Sequence, residues 1–408
     1  MEHDSSRYVD IGVKVDVDIS TEMMKEKSKH GKFDLTSIEM LEHLPVPFIK
    51  KNCFPEKRKI APIVDACEKG NLPMVKYLVS KGVHINETNH KGETPVYIAS
   101  KNGHVKVLKH LIEHGGNQDT PNKDGQRPLY IAIIYGNTEV VKYLAERGAD
   151  VTRFNGLNDE SITPINLAGM KGHLEVVKLL HGQKVDMNDA NTDGMTPIFV
   201  ASEKGQMEVV EYLVEQGVDL NSGPKSSGDT ALSIACRYGH TEIALYLADK
   251  DANVNTRNKD GVSPLYHAAD QGLLTIVRRL IECGADPSIV NKKGWTAFHV
   301  AFSKWHTEVM RYLKEHGADV NTPLMDGKTP LYIASHRGEL DMVKWLVEAG
   351  ITTTFIATNL STTLSIRTNI LQAIRLSYPL SSPPPSTSHH IFATTFQRHK
   401  RKQSRQQG

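Results

Sequence analysis

The sequence predicts an all-α solenoid of about nine stacked helix-turn-helix units with projecting loops. Three observations carry that prediction. A Thr-Pro pair, or a close equivalent, returns about every 33 residues, the spacing of a helical repeat array. A small residue and then a glycine follow each pair in fixed phase. A V-V-x-Y-L-type apolar stripe comes next, and a second glycine closes the unit. At 408 residues the chain is longer than one hydrophobic core normally serves. A repeat array escapes that limit, because each unit packs only on its neighbours.

The copies read in order. A degenerate one, APIVDACEKGNLPMVKYLVSKGVHIN, starts at Ala61. TPVYIASKNGHVKVLKHLIEHGGN follows from Thr94, then RPLYIAIIYGNTEVVKYLAERGAD from Arg127 and TPINLAGMKGHLEVVKLL from Thr163. The others start at Thr196, Thr230, Ser263, Thr296 and Thr329. The second position of the unit falls on Pro62, Pro95, Pro128, Pro164, Pro197, Ala231, Pro264, Ala297 and Pro330. Proline there opens the first helix, where no backbone N–H is needed. Small residues (Ala99, Ala132, Ala168, Ala201, Ala235, Ala268, Ala301, Ala334) let neighbouring helices approach closely. A glycine such as Gly103, Gly205 or Gly338 ends that helix, because it takes the left-handed conformation without a Cβ penalty. The second helix buries one stripe, as with Val140, Val141 and Leu144. A second glycine stops it, and the loop beyond projects as a turn or finger.

These copies, agreeing in phase, resemble the ankyrin repeat family over about residues 60–350. Lys184 and Asp251 stand where the second glycine is expected, and Trp305 where the first is. Extra residues lengthen the loops near Phe154–Ser161 and Ser222–Gly228. These departures are expected to distort loops and leave the stack intact. The resemblance divides the chain into an N-terminal extension (1–59), the repeat domain (60–350) and a tail (351–408). In the extension, alternation over residues 8–19 has a strand period, but terminal position and composition favour disorder. Residues 34–44 read as a short capped helix. The tail carries no acidic residue and includes the low-complexity stretch SYPLSSPPPSTSHH, read as disordered. Residues 364–376 have helical spacing and could cap the last repeat; Arg398–Lys402 resembles a nuclear localisation run.

Composition excludes several function classes. Formal net charge is +2, without the basic excess of a general nucleic-acid binder. No stretch reaches the roughly 18 apolar residues of a spanning helix, and no secretory signal follows the first residues. The four cysteines, Cys53, Cys67, Cys236 and Cys283, are widely spaced, which fits a reducing compartment. The expected location is the cytoplasm, with the nucleus second. Cys67 and Cys236 share one repeat position and read as small buried hydrophobes. His110 and His114 lie four apart on one helix without an acidic or cysteine partner, so no metal site is assigned. His104, His173 and His240 follow the helix-ending glycine and are read as structural, bonding the neighbouring loop. No P-loop, dinucleotide fingerprint or nucleophile motif appears, so the chain is read as a non-enzyme without cofactor or small-molecule substrate.

The family resemblance implies a protein-binding scaffold that uses finger loops and the concave face of the first helices. The alternative it implies is a substrate-recognition adaptor of a ubiquitin ligase or another regulatory subunit, with Leu364–Pro379 only faintly like a recruiting box. Across the earlier repeats, finger and groove charges mix both signs. The last two repeats offer Lys292, Lys293, Lys304, Lys328 and Arg337 against Asp326 alone, which points to an acidic partner surface. Trp295 after Gly294, and Trp305 in a glycine slot, are the aromatic candidates, with Tyr135 and Tyr238 as further exposed groove positions. Trp305 is read equally as packing against Phe302. The resemblance also implies that Asn86, Asn188, Asn221, Asn255 and Asn321 could be substrates of an asparaginyl hydroxylase, against the plainer reading that they supply turn hydrogen bonds.

Overall fold

The structure, a computed structural model, describes residues 62–152 and 162–349. The disordered stretch expected at residues 8–19, the short helix expected at 34–44, the Phe154–Ser161 loop and everything assigned to the tail lie outside the described residues. Among those residues the chain is helical, without a strand, and falls into two compact units. One holds the described residues up to Pro197 together with Glu211–Gln216; the other holds Ile198–Val210 and the described residues from Gly217 onward.

The first unit is a stack of four helix pairs: α1 (Pro62–Glu68) with α2 (Leu72–Ser80), α3 (Pro95–Lys101) with α4 (Val105–Glu113), α5 (Pro128–Ile134) with α6 (Thr138–Glu146), and α7 (Pro164–Lys171) with α8 (Leu174–Gly182). First helices pack on first helices and second on second. Next come α9 (Pro197–Glu203) and α10 (Met207–Glu215), whose residues are shared between the units. The second unit continues with α11 (Ala231–Tyr238) and α12 (Thr241–Asp249), α13 (Pro264–Asp270) and α14 (Leu274–Glu282), α15 (Ala297–Lys304) and α16 (Thr307–Glu315), and α17 (Pro330–Arg337) and α18 (Leu340–Glu348).

The local grammar works as the sequence indicates. Proline opens α3, α5, α7, α13 and α17 at the first helical turn. In four of these the preceding Thr or Ser caps the helix: Thr94 Oγ1 accepts from Tyr97 N at 3.1 Å, and Thr163, Ser263 and Thr329 repeat the bond, while Arg127 before α5 makes none. All eight register alanines are fully buried, which is what close helix approach requires. Cys67 and Cys236 are buried among them, and desolvation pushes the Cys67 thiol up to about 12. Both are therefore protonated packing groups.

Lys184, Asp251 and Trp305 keep the left-handed backbone of the glycines they replace, at φ 64°, 61° and 65°. The fold imposes that conformation on them, at about 1–2 kcal/mol each. The stack accommodates all three.

A first-helix face with a cleft between two fingers

Most described fingers are held by one asparagine; before Thr230, Lys225 takes that register and Ser227 Oγ accepts from Asp229 N at 3.2 Å instead. Asn89, Asn122, Asn191, Asn258 and Asn291 each accept, through Oδ1, the backbone N–H groups two and four residues on. This fixes the turn and aims the residue four positions on toward the first-helix face. Neighbouring fingers are joined by backbone bonds, such as Lys123 N to Lys91 O at 3.0 Å and Lys292 N to Asp260 O at 2.8 Å. Asn291 thereby holds the backbone of Trp295 at 2.9 Å.

The last described finger departs from the rule. Leu324 replaces the asparagine, and Asp326 takes over, accepting from Lys328 N at 3.1 Å. Between this finger and the one before it, above α15 and α17, a cleft of about 300 Å³ opens. Its walls are Trp295, Phe302, Leu324, Tyr332 and Ile333; Asp326, Lys328, His336 and Arg337 line its polar side, with His299 and Ser303 beneath. His299 is fixed from both ring nitrogens. Its Nδ1 accepts from Thr296 N at 3.1 Å, so Nε2 carries the proton and donates to Thr322 O at 2.9 Å. Burial holds its pKa below the usual histidine range.

Of the sequence candidates, Trp295, Lys328 and Arg337 come together in this cleft. Trp295 is half-buried and forms a wall; it does not project as a free anchor. Trp305 lies outside the lining, capping α15 with its side chain 45% exposed, while Phe302 is buried. Tyr238, at the end of α11, is 55% exposed in the same unit; Tyr135 is 54% exposed in the first unit.

The electrostatics differ from the sequence expectation. Lys292 lies 3.9 Å from Asp260, Lys304 3.9 Å from Asp270, Lys328 2.7 Å from Asp326 and Arg337 3.7 Å from Glu339. Four of the five cations therefore meet a carboxylate. Those of Lys292 and Lys304 come from the preceding repeat, which a count within the last two repeats misses. Only Lys293 makes no ion pair among the described residues. The pairs join largely exposed groups and are worth about 0–1 kcal/mol each, so an arriving carboxylate can displace them.

Asn86, Asn221 and Asn255 bond across repeats. Asn86 donates to Gly115 O at 3.2 Å and accepts from Asn117 N at 2.9 Å. Asn255 does the same with Gly284 O at 3.0 Å and Asp286 N at 2.8 Å, and Asn221 accepts from Asn253 N at 2.9 Å. Asn188 and Asn321 donate their backbone N–H groups to Asp186 and Asp319. The amide of Asn86 or Asn255 bridges to the next repeat, a structural task beyond the local turn.

Elsewhere the second unit buries one carboxylate. Asp229, 2% exposed, accepts from Asn258 Nδ2 at 2.9 Å, with His267 Nε2 at 3.8 Å and Arg237 at 3.9 Å. His267 occupies the register of Ile98, Val200 and Ile234, so the pair is special to this junction.

Fold and site define a repeat protein that offers a preformed face of loops and helices. The ankyrin repeat model, in three-copy form, matches residues 63–155, 165–258, 221–291 and 265–355. The chain belongs to the ankyrin repeat family, whose members are in general protein-interaction modules. It is 32% identical over 128 residues to the ankyrin repeat and KH domain-containing protein mask-1 of Caenorhabditis elegans, covering 31% of this chain and 5% of that protein. It is 44% identical over 63 residues to human BCL-6 corepressor, covering 15% of this chain and 4% of that protein. The chain thus spans a small part of the curated relatives it matches. Among solved structures, the human ASB11 ankyrin repeat domain superposes with a TM-score of 0.50 at 28% identity, covering 56% of this chain and all of that one.

Proposed function

We propose that this chain is a scaffold that captures a partner protein through the finger loops and first-helix face of the last two described repeats. The cleft walled by Trp295 carries the reading, because it joins apolar walls to a polar rim on a preformed surface. A rigid array loses little ordering entropy on docking. The partner presents an acidic surface, which Lys293 and the loosely paired Lys292, Lys304 and Arg337 attract. The cytoplasm, and second the nucleus, suits the three free cysteines among the described residues. A ubiquitin-ligase adaptor would use the same face to hold its substrate. Pull-down of the full chain with mass spectrometry, beside a Trp295→Ala chain, tests this. Partners lost with Trp295→Ala support the site, and cullin subunits in the eluate would select the adaptor. A chain that retains no protein specifically would end the scaffold reading.

A further inference from the structure

Resting on that reading of the cleft, we propose that its occupant is a peptide segment of the partner that inserts an apolar side chain beside its own carboxylate. The concavity decides who inserts. Trp295 is a half-buried wall, so the protruding group comes from the partner. A volume of about 300 Å³ is at the lower end for ligand pockets and holds one or two side chains.

The finger above it is apolar where the others are polar. Met325 stands in the register of Lys123, Lys259 and Lys292, yet is 78% exposed. Leu324 below it replaces the turn asparagine and lines the cleft. The flexible thioether of Met325 suits contact with a side chain of variable shape. Met325 at the fingertip and Leu324 in the lining thus give this side of the cleft an apolar edge.

Charge complementarity supplies the second half. Asp326, the one carboxylate in the lining, already accepts from both the backbone N–H and the Nζ of Lys328. Arg337 is half-exposed and contacts Glu339 through one nitrogen at 3.7 Å, which leaves guanidinium donors facing outward. A carboxylate at the mouth meets those donors in the fork geometry that arginine favours. A lysine-flanked segment would meet Arg337 and Lys328 and be repelled.

Selection of random 12-residue peptides on phage against the full chain tests the proposal. Enriched peptides are expected to carry Leu, Ile, Met or Phe with Asp or Glu within three positions. A synthesised winner, followed by fluorescence anisotropy, should weaken about tenfold or more on Trp295→Ala and on Arg337→Glu, and by less on Arg337→Lys, which keeps the charge but loses the fork. Replacing its carboxylate by the amide should cost about the same as Arg337→Glu. Arg337 is half-exposed, so its variants should fold, and circular dichroism checks that. Enrichment without acidic bias, equal binding by Arg337→Glu, or no peptide that depends on Trp295 would overturn the proposal. If a native partner is still captured when the peptides fail, the scaffold reading stands and only this cleft chemistry falls.

Discussion

The imidazole of His240 occupies the space that a Cβ on Gly205 would fill. That Cβ would stand 2.8 Å from the ring, and the ring's Nε2 donates to Glu203 O at 2.9 Å. Glu203 is the last residue of α9, so a side chain of the next repeat caps the helix. His104 with Gly70 and Glu68, His173 with Gly136 and Ile134, and His306 with Gly272 and Asp270 repeat the device. Asn137 does it through an amide, donating to Ser100 O at 2.8 Å and Lys101 O at 2.9 Å beside Gly103.

Gly205→Ala should therefore lose stability twice, through a left-handed alanine and through displacement of the ring. We expect about 1–2 kcal/mol from the backbone and about 1 kcal/mol more from the lost bond. His240→Ala removes the ring and the bond, so the double variant should cost less than the sum of the singles. Urea melts of the four chains measure the cycle, and strict additivity would argue against the coupling.

Ala268→Asp should cost several kcal/mol, because the site is fully buried. An unchanged thermal melt by circular dichroism would contradict the close packing of α13 with its neighbours.

Asp229 sets a pH dependence. Burial alone would raise its pKa, but His267, Asn258 and Ser227 outweigh that and hold it at about 2, below the ordinary 3.8. A lowered folded pKa stabilises above the unfolded value, and that gain is lost as pH falls toward the folded one. Wild type should exceed Asp229→Asn by up to about 2 kcal/mol near neutrality. The gap should close between about pH 4 and pH 2. A gap constant over that window would show that the carboxylate's charge is not the source.

Charge reversal at Lys292 and Lys293 should slow association with the identified partner and flatten its salt dependence. Stopped-flow rates at two ionic strengths read this out. Reversal at Lys293 should have the larger effect, because Lys292 starts beside Asp260.

Asn255→Ala should cost about 1–2 kcal/mol by leaving Gly284 O and Asp286 N without their bridge. Peptide mass spectrometry of Asn86, Asn188, Asn221, Asn255 and Asn321 from native cells, looking for one added oxygen, tests the hydroxylation suggested by the family resemblance.

The repeat was legible in the sequence because its signals are local. Pro95 opening a helix, Ala99 packing closely and Gly103 ending the helix act within ten residues of one another. The staples are harder to read: His240 reaches back 37 residues to Glu203. Phase alone marked His104, His173 and His240 as structural, while His306 and Asn137 in the same role carried no such mark. The site was half legible. Trp295, Lys328 and Arg337 were identifiable by type and register, but the cleft also needs Leu324 in place of an asparagine. Ion pairing was misjudged because Asp260 and Asp270 belong to the preceding repeat.

The staples are not all alike, and that gives the array a reading order. His240 answers Gly205, and Leu273 answers Gly239 with a methyl 3.6 Å from where a Cβ would stand. After Trp305 the register holds Glu339, so no ring has to lie over the tryptophan's backbone. Excising one period, residues 206–239, would preserve the repeat pattern yet bring Leu273 to Gly205 and leave Glu203 O without its imidazole donor. Neighbouring repeats are thus matched like links of differing gauge. Removal of that unit would therefore leave a mismatched joint at the splice, with Leu273 facing Gly205.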